Sequence, residues 1–133
     1  QDGRYIVSGS RDGTVRLWDR ASHKELACLD GHTHRVTSVA LSSDNGFIVS
    51  ASKNKTVRLW NRRKDDSWSS QELVGHTRSI LCSAFSENGQ EIASGSRDMT
   101  VRLWKQKCGP RSEGTGSFQF VQSFLTESSS SCF

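Results

Sequence analysis

The chain has 133 residues, 33% of them hydrophobic, and a formal net charge of +4. That length suits one ordinary domain, and the mild positive balance admits an acidic partner without demanding one. Cys28, Cys82, Cys108 and Cys132 form no Cys-x-x-Cys pair, which argues against a dense disulfide scaffold, and neither an apolar run of transmembrane length nor a secretory leader is visible, so the expectation is an intracellular protein, cytoplasmic or nuclear, with no membrane contact.

In chain order, the pattern predicts short strands separated by turns. Tyr5 to Gly9 and Thr14 to Asp19 flank a tight turn at Arg11-Asp12-Gly13, and an outer strand follows at Glu25 to Leu29. After Gly31-His32 the alternation of Val36 to Leu41 reads as a strand, with a polar turn through Asp44-Asn45-Gly46. Further strands are expected at Phe47 to Ala51, Thr56 to Asn61 and Trp68 to Val74. Gly75-His76 opens the same order again: Ile80 to Phe85, a turn at Glu87-Asn88-Gly89, then Ile92 to Gly95 and Thr100 to Lys105. The pattern stops after Lys107. Residues 108 to 133 read as an irregular, largely disordered tail, within which Phe118 and Phe120 alternate and leave an outer strand at 118 to 124 open.

The pentapeptide Thr-Val-Arg-Leu-Trp occurs three times, ending at Trp18, Trp60 and Trp104, a period of about 40 to 45 residues. Each copy follows a Ser-rich lead: Ser8-Gly9-Ser10-Arg11-Asp12, Ser50-Ala51-Ser52-Lys53-Asn54 and Ser94-Gly95-Ser96-Arg97-Asp98. With Gly31-His32, Gly75-His76 and Trp18-Asp19, the chain resembles the WD40 repeat family over residues 1 to about 107. The resemblance implies an all-β fold, in which four-stranded antiparallel blades form an incomplete, open ring of a β-propeller. It implies a partial first repeat over 1–30, a second over 31–74 and a third over 75–107. Fewer than three complete blades cannot close a ring. Each open end therefore needs the remaining blades of a longer parent, or a second copy of the chain.

The same resemblance implies a hydrogen-bonded tetrad inside each blade: His76, Ser94, Asp98 and Trp104 in the third; His32, Ser50, Asn54 and Trp60 in the second; Ser8, Asp12 and Trp18 in the first. The physics stands without the family. A buried indole N–H needs an acceptor, a hydroxyl can accept from it while donating to an imidazole, and a carboxylate takes the remaining imidazole proton. Asn54 offers an amide oxygen where the other repeats carry a carboxylate, so the second blade is expected to be the looser one, by about 1 kcal/mol.

Ser94, His76 and Asp98 do not read as a hydrolytic triad. Ser94 lies on an expected buried strand after Glu91-Ile92-Ala93, no Gly-x-Ser-x-Gly elbow is present, and the same set recurs from repeat to repeat. His32 and His34 lack a third ligand, so neither a metal nor a cofactor is expected.

The basic residues carry more information. Arg11, Lys53 and Arg97 each precede the turn Asp or Asn, and Arg35 and Arg78 follow Gly-His. In propellers of this family both positions look onto one ring face, where like charges would attract acidic or phosphorylated segments of a protein partner. No aromatic-interleaved patch for stacking bases accompanies them, so nucleic acid is the less favoured partner. The strand arginines Arg16, Arg58 and Arg102 read as edge charges that pack their stems and pair locally. Arg62-Arg63-Lys64 is a short basic run on the opposite side, partly neutralised by Asp65-Asp66.

The function expected is a non-catalytic protein–protein interaction scaffold. The alternatives are a basic, RNA-associated propeller segment, or the sensor end of a larger nucleotide-hydrolysing switch protein, although no Gly-x-x-x-x-Gly-Lys phosphate loop occurs in these residues.

Overall fold

A computed structural model of the chain describes residues 3–65, 67–106 and 118–125. Among these described residues eleven strands follow in order: β1 (Tyr5–Gly9), β2 (Thr14–Asp19), β3 (Lys24–Asp30), β4 (Val36–Leu41), β5 (Phe47–Ser52), β6 (Thr56–Arg62), β7 (Trp68–Val74), β8 (Ile80–Phe85), β9 (Glu91–Ser96), β10 (Thr100–Gln106) and β11 (Phe118–Leu125). They form a three-stranded sheet, β1-β2-β3, and two four-stranded sheets, β4-β5-β6-β7 and β8-β9-β10-β11. All neighbours are antiparallel, as short connections between successive strands require. The fold is all-β and unclosed, consistent with part of a WD40-type propeller. The outer strand left open by the sequence is present: β11 pairs along the whole of β10, from Thr100↔Leu125 to Gln106↔Phe118. The rest of the expected irregular tail, 108–117 and 126–133, lies outside the described residues.

Two apolar cores separate the three sheets. Val15, Leu17 and Leu29 of the first meet Ile48 and Trp60 of the second. Phe47, Val49, Ala51, Val57, Leu59 and Leu73 of the second meet Ile80, Ile92 and Trp104 of the third. The period of two along each strand assigns these residues to opposite faces, so the middle sheet is covered on both sides. This explains why all six residues of β5 are buried and why Phe47-Ile48-Val49 reads as a continuous apolar run. The first sheet carries the same residue types on its other face, yet there Ile6 is 50% exposed and Trp18 only half-buried.

Polar bonds join the sheets at their first strands. The ladder between β4 and β5 slips between Val36 and Ser38, and that between β8 and β9 slips between Ile80 and Cys82. The bulge frees Thr37, whose hydroxyl reaches Ala51 O at 3.1 Å and Ile80 O of the next sheet at 2.7 Å. Ser83 N donates to Ser38 Oγ at 3.2 Å across the same boundary. Between the first two sheets, Val36 N donates to Ser10 O at 2.9 Å.

The turns after β4 and β8 do not align on their shared Asn-Gly. Asn45-Gly46 and Asn88-Gly89 look equivalent in sequence, but the left-handed residues are Asn45 (φ 61) and Gly89 (φ 71). Asp44 therefore corresponds to Asn88. Asp44 Oδ1 accepts Gly46 N at 2.9 Å and Asn88 Oδ1 accepts Gln90 N at 3.0 Å. A short side chain that caps its own turn two residues on sets the register, and either Asn or Gly then tolerates positive φ. At the later turn of each repeat the left-handed residue is Gly13, Lys55 or Met99. Gly13 is the one with a steric reason: a Cβ there would lie 2.5 Å from His32 O of the neighbouring sheet.

Candidate functional site

The chemistry-bearing residues occupy equivalent places in each sheet. Ser8, Ser50 and Ser94 sit on the second-last residue pair of their hairpins, opposite Arg16, Arg58 and Arg102. Two residues along β2, β6 and β10, each Trp projects to the same face and donates its indole N–H to that serine: Trp18 to Ser8 at 2.9 Å, Trp60 to Ser50 at 2.9 Å and Trp104 to Ser94 at 3.1 Å. His32 Nε2 meets Ser50 Oγ at 2.7 Å, and His76 Nε2 meets Ser94 Oγ at 2.8 Å. The Ser50 and Ser94 hydroxyls each accept from an indole and can donate to an imidazole, so lone pair and proton are both used.

The glycine of each Gly-His makes room for the strand arginine. A Cβ on Gly31 would lie 3.0 Å from Arg58 Nε, and one on Gly75 would lie 2.5 Å from Arg102 Nη1. Arg58 spends its charge locally, with Nη1 donating to Ser70 Oγ at 3.2 Å and its guanidinium 5.9 Å from the Trp60 ring. Arg16 lies 3.8 Å from both Asp12 and Glu25.

The fourth position separates the repeats. In the third, His76 Nδ1 donates to Asp98 Oδ2 at 2.9 Å, and the same oxygen accepts Thr77 N at 3.0 Å. This fixes the tautomer, leaving Nε2 to accept from Ser94. Asp98 also accepts the hydroxyl and amide of Thr100. Although burial opposes its charge, these hydrogen bonds from Thr100, His76 and Thr77 hold its carboxyl well below the ordinary carboxylate range. Burial pulls His76 down, opposed by Asp98.

In the second sheet, Asn54 turns its amide nitrogen to Thr33 Oγ1 at 3.1 Å and its oxygen to Thr56. His32 Nδ1 is left to Thr56 Oγ1 at 3.5 Å. Burial and the Arg58 charge lower the His32 pKa from 6.5 to about 4. Asp12 of the first sheet accepts the Thr14 hydroxyl at 2.6 Å and amide at 2.9 Å, the same local cap without an imidazole.

Replacing Asn54→Asp supplies the missing carboxylate and should stabilise the chain by about 1 kcal/mol. Amide hydrogen exchange over residues 50–60 is the readout. It should be faster than over 94–104 in the unmodified chain and slow to match in the variant. Equal protection in the unmodified chain would show that the amide serves as well as the acid.

The five cations Arg11, Arg35, Lys53, Arg78 and Arg97 are all exposed, on loops that share backbone bonds. Lys53 N donates to Arg35 O at 3.2 Å, and Arg97 N donates to Ser79 O, beside Arg78, at 2.9 Å. The bond from Val36 N to Ser10 O places the Arg11 and Arg35 backbones beside one another across the first boundary.

Two positioning residues escape a reading that stops at the tetrad. Ser52 Oγ donates to the carbonyls of His34 (3.2 Å) and Arg35 (2.9 Å), and Ser96 Oγ to those of Arg78 (3.0 Å) and Ser79 (2.9 Å). Both serines are fully buried. They pin each Gly-His loop against the turn that carries the other cation of its pair. Their signal was present as the second serine of each lead, Ser10, Ser52 and Ser96, at constant spacing.

Among the described residues, no helix is long and apolar enough to cross a membrane. Short stretches of the chain are similar to segments of several larger proteins. It is 49% identical over 41 residues to autophagy-related protein 16 of Arabidopsis thaliana, covering 31% of this chain and 8% of that protein. It is 44% identical over 43 residues to the general transcriptional corepressor TUP1 of Saccharomyces cerevisiae, covering 32% and 6%. It is 39% identical over 46 residues to dynein assembly factor with WD repeat domains 1 of Homo sapiens, covering 35% and 11%. The matched stretch thus spans a small part of each relative. The family model described as "WD domain, G-beta repeat" matches residues 1–19, 23–61 and 67–105, which takes in every tryptophan, serine and histidine of the networks above, and the chain belongs to that family.

Proposed function

We propose that this chain acts as a non-catalytic protein-interaction scaffold whose loop cations take an acidic or phosphorylated segment of a protein partner. The observation that carries the reading is the backbone pairing of Arg35 with Lys53 and of Arg78 with the Arg97 turn, each held by a buried serine hydroxyl. Pinned loops on a rigid sheet array present charge without paying to order it on binding. His76, Ser94 and Asp98 serve the scaffold: Ser94 is fully buried and its hydroxyl is committed to Trp104 and His76, so this serine is not placed to attack a substrate.

The test is a titration with a glutamate-rich peptide against Arg35→Glu/Lys53→Glu and Arg78→Glu/Arg97→Glu. Each double variant should lose about tenfold or more in affinity and keep its melting temperature. Unchanged affinity in both would remove these loops from the interaction. An oligouridine that binds more tightly than the peptide, with affinity falling steeply between about 50 and 200 mM salt, would favour the RNA-associated alternative.

A further inference from the structure

The ladder position opposite each repeat tryptophan carries a different residue in each sheet. Trp18 faces Glu25, Trp60 faces Ser70 and Trp104 faces Phe120. Residues opposed across a ladder share a face, and so do residues two apart along a strand. Glu25 and Ser70 are therefore equivalent neighbours of Arg16 and Arg58. In the first sheet that neighbour is an acid: Arg16 lies 3.8 Å from Glu25 Oε2 and 3.8 Å from Asp12 Oδ2. In the second sheet both acids are replaced, Glu25 by Ser70 and Asp12 by Asn54. Arg58 Nη1 donates to the Ser70 hydroxyl at 3.2 Å, the guanidinium lies 5.9 Å from the Trp60 ring, and its Nε is buried without a hydrogen-bond partner. Among the described residues no carboxylate forms an ion pair with Arg58, Glu72 across the ladder included.

Three serines stand close together on this stretch, and only one suits an added negative charge. Ser67 Oγ donates to Asp65 Oδ1 at 2.6 Å, so a phosphate there would face a carboxylate. Ser69 is half-buried, points to the other face of β7, and its hydroxyl reaches Asn61 O at 3.5 Å. Ser70 is exposed beside a guanidinium, on an outer strand that pairs, among the described residues, with β6 alone.

We propose that Ser70 is a phosphorylation site whose phosphate pairs with Arg58, giving the second sheet on demand the ion pair that the first carries permanently as Arg16–Glu25. A protein kinase supplies the group from a nucleoside triphosphate. The bond from Ser70 Oγ to the γ-phosphorus forms as the bond from that phosphorus to its bridging oxygen breaks. The nucleoside diphosphate leaves, and the hydroxyl proton passes to the kinase's base. The product carries about −1.5 to −2 charge at pH 7. Its oxygens offer the guanidinium stronger acceptors than a hydroxyl does and fasten β7 to β6. Glu72, two residues on and exposed, offsets part of this attraction.

Ser70-Gln71 is the one Ser-Gln pair of the chain, so a kinase that selects serine before glutamine meets a single target. The full chain incubated with such a kinase and ATP should take up one phosphate, mapped to Ser70 by mass spectrometry. No phosphate, or phosphate on Ser67 or Ser69 instead, would overturn the site. Phosphorus resonance reads the pairing. A free phosphoserine takes its second proton at about pH 6, and in the folded chain the midpoint should be lower by about 0.5 or more because Arg58 favours the dianion. In urea the same molecule should return to the free value, a comparison that needs no variant to fold. Arg58→Gln should remove most of the difference. Phosphorylation should also slow amide exchange over residues 68–74 by about threefold or more, and only while Arg58 is present. Equal midpoints in the folded and urea-unfolded chains would overturn the proposal, as would a lowered midpoint that survives in Arg58→Gln.

Discussion

Trp60→Ala should cost about 3 to 5 kcal/mol, the range for truncating a large buried aromatic. Trp60 is 4% exposed and packs beside Ile48 of its own sheet against Val15, Leu17 and Leu29 across the first boundary, while its N–H satisfies Ser50. Removing it opens a cavity between two sheets and strips Ser50 of a donor. Trp18→Ala, in the same pentapeptide with the same serine bond, should cost roughly half as much or less, because Trp18 is only half-buried. Urea midpoints for the two variants give the comparison directly. Equal losses would mean that the pentapeptide's own sheet, and not the neighbouring one, provides the stabilisation.

Acid should weaken the fold well before the carboxylates titrate. His32 is held neutral by burial down to about pH 4, whereas in the unfolded chain it protonates near 6.5. Between those values the unfolded state binds a proton that the folded state refuses, so stability falls as pH falls through that window. The loss attributable to His32 is about 3 kcal/mol at most. His76, also lowered by burial, adds to the loss below pH 6.5 in the same direction. Asp98 acts later: its folded pKa is depressed, so its contribution is complete above about 3.8 and vanishes as pH drops through the folded value. Urea midpoints measured from pH 7 to 4.5 should decline progressively, and less steeply in Asn54→Asp, where a carboxylate beside His32 raises its pKa. A flat profile down to pH 4.5 would show that the imidazoles are not held neutral.

Much of this was legible in the sequence because the information is local and repeated. The constant offset from Ser50 to Trp60 and from Ser94 to Trp104 is a hairpin register written in residue numbers, and Gly-His marks where each new sheet begins. The spacing rule failed where a single residue had two equally good readings: Asn-Gly occurs in both turns, but the cap falls on Asp44 in one and Asn88 in the other. Ser52 and Ser96 were overlooked because a small hydroxyl in a Ser-rich lead looks like turn composition until its carbonyl partners are known. The approach of the Arg4 and Arg62 guanidiniums to the Tyr5 ring, at 5.1 and 5.6 Å, was invisible for a different reason. It joins residues on separate sheets, and no periodicity records which side chains meet across a boundary.

The face formed by Ile6, Ser8, Arg16 and Trp18 has the same residue types as Ile48, Ser50, Arg58 and Trp60, and as Ile92, Ser94, Arg102 and Trp104. The opposing face repeats Val15-x-Leu17 as Val57-x-Leu59 and Val101-x-Leu103. Each sheet is therefore a good docking partner for more than one other, and surface chemistry alone does not tell the chain which neighbour is correct. Correct order during folding then depends on tether length. The five residues joining β7, which ends at Val74, to β8, which starts at Ile80 (Gly75, His76, Thr77, Arg78 and Ser79), give the adjacent sheet a far higher local concentration than any competitor. Lengthening that connection should slow refolding through out-of-order docked species.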